Sequence, residues 1–248
     1  MKKMFPLMID RPEGRTIAAS LPYWLFAFFF LPFLDLFFTA DLEAAFWVDF
    51  VYHLINFIVV LILFIPYLRD SFLTVQIYPK KFFKIVGCCI FVVLVLKVAI
   101  ADWSYALGSA LFDGAAFGSW LTTETDLRYY STSFIAEQPL WGILCVVLMT
   151  PVTTACLLYA SVFAPISNSR PVLAYVVMTV AFLLIRLAMA FAFWSIEEEV
   201  AIFLVQLPIH LVACWAYQQT DTVWAPIAIH TVSNILLTPL SLHYTGLF

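Results

Sequence analysis

Long apolar runs broken by short polar segments set the pattern of this chain. A membrane-crossing helix takes about 20 mostly apolar residues. Seven stretches meet that length: Leu21–Ala40, Phe46–Leu68, Phe82–Ala101, Pro139–Ile166, Val172–Trp194, Val200–Gln218 and Val223–Leu242. The pattern predicts an all-α fold, a polytopic transmembrane bundle of about seven spans. Pro32 and Pro151 fall inside the first and fourth spans, where a missing N–H is expected to kink a helix. The organisation read from this is an N-terminal segment 1–20, three spans within 21–101, an external loop 102–138 and a four-helix unit 139–248.

Composition agrees with that pattern. Hydrophobic residues make up 64% and charged ones 11%, against about 25% charged in soluble domains. So much of the 248 residues goes into spans that no sizeable soluble domain is expected. The five cysteines, Cys88, Cys89, Cys145, Cys156 and Cys214, all lie in apolar runs. They read as small buried hydrophobes, not as a disulfide framework. The first apolar run is too long for a signal peptide and has no small-residue cleavage site after it.

Charge distribution orients the bundle. Nine of the twelve basic residues fall on one side: Lys2, Lys3, Arg11 and Arg15; Arg69, Lys80, Lys81 and Lys84; and Arg170. The positive-inside rule makes that side cytoplasmic and puts the N-terminus inside. The opposite loops are acidic, with Arg128 their only base.

Polar groups within the spans are costly in hydrocarbon and mark candidate functional positions. Asp49, His53 and Asn56 share one face of the second span at i, i+4 and i+7. As a metal site that face is one ligand short of the usual three or four, so no metal site is expected. Thr153 and Thr154 follow Pro151; in a membrane helix, threonine commonly bonds back to its own backbone. Arg186 in the fifth span demands a packed internal partner or a cavity. His210 in the sixth span groups with His230 and Asn234 in the seventh, the last two on one helix face. Lys97, near a span end, can snorkel.

The stretch from Tyr217 to Leu236, "YQQTDTVWAPIAIHTVSNIL", resembles the last motif of the CPBP family, the CAAX-protease and bacteriocin-processing intramembrane proteases. That motif runs Tyr-x-x-Thr-Gly-Ser-x-Trp-x-Pro-Ile into a helix bearing His-x-x-x-Asn. Tyr217, Thr220, Trp224, Pro226, Ile227, His230 and Asn234 fit it, with Asp221 where glycine is usual. Active members also carry Glu-Glu-x-x-x-Arg and Phe-x-x-x-His. Counting back from the strong end puts Thr153 and Thr154 at the glutamate pair, Leu158 at the arginine, and Phe182 and Arg186 at Phe-x-x-x-His. Thirty-three positions separate Thr153 from Arg186, and 44 separate Arg186 from His230. A register using Glu197 to Glu199 fails, because those acids sit at a span end with no following motif.

In the family a glutamate is thought to activate water, with the histidines and asparagine stabilising the oxyanion. Threonine is no base near neutral pH, and arginine only donates. The resemblance therefore implies a catalytically degenerate member, a scaffold or regulator of another membrane or cell-envelope protein in a bacterial plasma membrane. Two other readings stand beside it. One is an altered peptidase with Thr153 or Thr154 as nucleophile, His230 as base and Arg186 in the oxyanion hole. The other is a component in which Arg186 holds an anion or lipid, bacteriocin immunity being compatible with this or with the scaffold. Membrane lipid is an expected partner; a cofactor and nucleic acid are not.

Overall fold

The structure, a computed structural model, describes residues 20, 23, 42–111, 139–192 and 196–244. Every regular element among them is helical. Helix α1 is Leu42–Ile77 and α2 is Pro79–Leu111; α3 covers 139–167, α4 is Pro171–Ala192, α5 is Ile196–Thr220 and α6 is Trp224–Tyr244. Phe50–Ile77 and Leu140–Ser167, 28 residues each, are long and apolar enough to cross a membrane, and Pro171–Leu187 is a shorter apolar run. At 1.5 Å per residue the 28 α-helical residues of Phe50–Ile77 span about 42 Å, more than the roughly 30 Å hydrocarbon core. The first expected span and Pro32 lie outside the described residues, save Ser20 and Tyr23 at its start.

Two elements differ from the sequence reading. Residues 69–77 continue α1 as helix, because nothing from Arg69 to Ile77 breaks one, and Pro79 then opens α2 at a first-turn position that needs no N–H. Helix α2 likewise runs on to Leu111, so 102–111 is helical where an external loop was expected. The rest of that loop lies outside the described residues.

Helix α3 occupies the middle. From Ala155 to Ala160 every side chain is at most 1% exposed, the signature of a helix apolar all round and packed on all sides. Val60, Phe64, Tyr67 and Leu68 of α1, Met178 and Ile185 of α4, and Ala213, Cys214 and Tyr217 of α5 share its core. A second core joins Phe82, Val86, Cys89 and Val93 of α2 to Ile209 and Ala216 of α5 and to Ala225 and Ile229 of α6.

Prolines shape α3 locally. Two π-helical stretches, Cys145–Met149 and Ala155–Phe163, flank a short α turn holding Pro151, and the second ends just before Pro165. Proline donates no N–H, and its ring crowds the carbonyl four residues back, so α register is hard to keep around it. Val147 is that carbonyl for Pro151, and the Thr231 hydroxyl of α6 donates to it at 2.9 Å. The expected kink is thus a change of helical register, closed by a hydroxyl from the neighbouring helix.

Candidate functional site

The α5–α6 connection fixes where the histidine-bearing helix starts. Asp221 turns the chain with a φ of 52°, and its N–H donates to Tyr217 O at 2.7 Å, closing α5. Thr222 then caps α6, its hydroxyl accepting the Trp224 N–H at 3.3 Å. Ser71 of α1, fully buried, accepts the Val223 N–H at 3.0 Å and exchanges a 2.7 Å hydroxyl bond with Thr222. The Trp224 indole donates to Leu68 O at 2.9 Å, and the Tyr67 and Tyr217 hydroxyls meet at 2.8 Å. The motif residues Tyr217, Asp221, Thr222 and Trp224 are thereby a docking device. They tie the end of α5 and the start of α6 to α1 and so fix where the His230 helix begins.

Beyond that anchor lies a buried polar cluster at the α3–α5–α6 junction. The hydroxyl of Tyr159, a residue with no solvent exposure, lies 2.6 Å from His210 Nδ1 and 2.9 Å from His230 Nε2. The two imidazole centroids are 5.3 Å apart. A phenol has one proton, so Tyr159 donates to one ring and accepts an N–H from the other. The shorter contact suits donation to His210 Nδ1, with His230 donating its Nε2–H to the phenol oxygen. Neither nitrogen turned to the centre is then a free base.

Phe182 of α4 packs on His210 with centroids 4.2 Å apart. The Arg186 guanidinium lies 5.4 Å from the centroid of the Phe182 ring and donates to the Gln206 side-chain oxygen of α5. Arg186 therefore has the internal partner its position demanded. In a low-dielectric interior a charge-assisted bond and a ring face hold a guanidinium better than hydrocarbon does.

The remaining sequence candidates fall as follows. His210 and His230 come together through Tyr159. Asn234 is buried one turn beyond His230. Thr153 and Thr154 lie in the Thr150–Thr154 turn, which packs against α6. The Thr153 hydroxyl is buried and makes no hydrogen bond among the described residues, so it does not bond back to its own backbone. Asn56 accepts a hydrogen bond from the Tyr23 hydroxyl and is an interhelical tie. His53 is half-buried beside it in α1, and the Asp49 side chain lies outside the described residues. No group of three or more His, Cys, Asp or Glu able to hold a metal is found among the described residues.

Sequence reasoning missed Tyr159, Gln206 and Ser71. Tyr159 carried one usable signal: Ala155, Cys156, Val162 and Phe163, its neighbours one turn either way, give its hydroxyl no partner. A buried tyrosine hydroxyl usually finds one, so it had to come from another helix.

The fold and cluster thus describe an all-helical, membrane-type bundle with a buried Tyr–His–His centre. Residues 136–236 match the family model for Type II CAAX prenyl endopeptidase Rce1-like proteins. Over that stretch, 101 of the 248 residues, from the start of α3 into α6, the chain is similar to the CAAX-protease family. No curated protein and no solved structure matches the chain.

Proposed function

We infer that this protein is a catalytically degenerate member of the CAAX-protease family that acts as a scaffold or regulator, binding another membrane or cell-envelope protein without cutting it. One observation carries the reading: the Tyr159 hydroxyl sits between the two imidazoles and engages both. Amide hydrolysis needs a proton acceptor beside a water, and donors aimed at the developing oxyanion. Here a protein hydroxyl takes up one ring nitrogen of each imidazole. The aligned carboxylate positions hold Thr153 and Thr154, and Arg186 can only donate.

The rival chemistry, with Thr153 or Thr154 as nucleophile, needs His230 as a free base. The contact between His230 Nε2 and the Tyr159 hydroxyl works against that role at this nitrogen. Arg186 gives one guanidinium donor to Gln206 and lies against the Phe182 ring, which leaves fewer donors for a diffusible anion. A multi-pass setting in a bacterial plasma membrane, with seven spans and the N-terminus inside, fits the apolar runs and the one-sided basic residues and belongs to this proposal.

The test is an affinity pull-down of tagged protein from its native membrane in mild detergent, wild type beside His230→Ala and Arg186→Gln, with mass spectrometry of what is retained. The expected result is one partner, intact and stoichiometric, with all three. Fragments of a co-purifying protein that appear with wild type and vanish with His230→Ala would overturn the reading.

A further inference from the structure

Helix α2 has two faces of different character. Phe82, Val86, Cys89 and Val93 are buried against α5 and α6. The opposite face carries two adjacent rows at i, i+4 spacing, Lys80–Lys84–Cys88 and Phe83–Gly87–Phe91, and all six residues are exposed. Phe83 and Phe91 are 67% and 68% exposed, and a Cβ built on Gly87 meets nothing within 4 Å. Two rings two turns apart, about 12 Å along the axis, therefore frame an open notch. Among the described residues neither Lys80 nor Lys84 makes an ion pair, and the Asp70 carboxylate pairs with Arg69 at 3.4 Å.

Polarity changes in one direction along this face: two ammonium groups at one end, then only apolar surface. The lysines and Phe91 are separated by 7 to 11 residues, about 10–16 Å, the depth of one hydrocarbon leaflet. We propose that this face of α2 seats an anionic phospholipid, its headgroup phosphate against Lys80 and Lys84 and an acyl chain in the notch over Gly87 between Phe83 and Phe91. Charge complementarity selects the occupant. A partner helix offers the two ammonium groups no fixed anion, whereas a lipid phosphate meets them at the headgroup level, where a basic residue contributes about 1 kcal/mol toward an anionic surface.

Native mass spectrometry of the full chain, released from mixed micelles holding equal phosphatidylglycerol and phosphatidylcholine, tests this. Wild type should retain the anionic lipid about 25-fold over the zwitterionic one, each of the two lysines contributing a factor of about five. Lys80→Gln with Lys84→Gln should equalise the two. Gly87→Leu, which fills the notch but keeps the charge, should lower retention of both lipids, and Arg170→Gln at another corner should change nothing. Equal retention by wild type, a preference that survives the double substitution, loss of preference with Arg170→Gln, full retention with Gly87→Leu, or displacement by inorganic phosphate at the lipid's concentration would each overturn the proposal.

Discussion

Tyr159 holds two histidines with one hydroxyl, so removing that oxygen takes a partner from one nitrogen of buried His210 and one of half-buried His230. Unsatisfied buried groups cost about 1–3 kcal/mol each, although hydrogen bonds between membrane helices average nearer 0.6 kcal/mol. Tyr159→Phe is therefore expected to destabilise the protein by about 1–3 kcal/mol, read as a lower thermal midpoint in detergent; an unchanged midpoint would mean that the cluster contributes nothing to the fold. Asp221 gives the opposite sign. A non-glycine residue in the left-handed region is strained by roughly 1 kcal/mol, so Asp221→Gly should raise stability by about 0.5–1 kcal/mol in the same measurement. The glycine usual at this position of the motif in the family is in keeping with that direction. The two histidines were legible in the sequence because imidazoles stand out in an apolar run. Tyr159 was not, because aromatic residues are common in spans and its partners are 51 and 71 residues away.

Among the elements, α3 shows how helical register is adjusted to keep a buried helix closed. Pro151 removes the donor that Val147 O would take in an α-helix, and Thr231 supplies a hydroxyl in its place. Thr231→Val keeps the side chain's shape and removes that donor. The expected cost is about 0.6–2 kcal/mol, and Thr231→Ser should recover most of it; a valine variant as stable as wild type would show that the carbonyl is satisfied elsewhere. Pro151 was legible as a disturbance in its span, but whether it gives a kink or a π stretch depends on what the neighbouring helix offers. The extension of α1 and α2 beyond the apolar runs was missed for a related reason. Hydropathy marks what sits in lipid, and a helix can continue past it wherever no residue stops it.

On the scale of the whole molecule, the core is internal but the exterior is apolar too: Ile62, Ile65, Phe83, Phe91 and Val172 are each at least 60% exposed. A soluble protein rarely shows such large apolar patches; a bundle in lipid requires them. Ile62, at 69% exposure within the 28-residue stretch Phe50–Ile77, makes the test direct. Ile62→Lys should cost about 2.5–3.5 kcal/mol of insertion free energy, seen as a fall in the membrane-integrated fraction, while on a soluble surface the same change would be nearly neutral. Helical class and membrane setting were legible at this scale because composition alone excludes a soluble domain. The assembly of α6 on α1 was not, since Ser71 and Thr222 look like ordinary small polar residues until the fold brings them within 2.7 Å.

That hydroxyl pair has a kinetic consequence. The first amides of a helix lack acceptors within it and exchange their hydrogens with solvent early. The Val223 amide, at the entrance to α6, instead donates to a serine oxygen with no solvent exposure. In deuterated buffer it should rank among the slowest amides of the chain, released only when α1 and α6 part, and Ser71→Ala should move it to the rapid class.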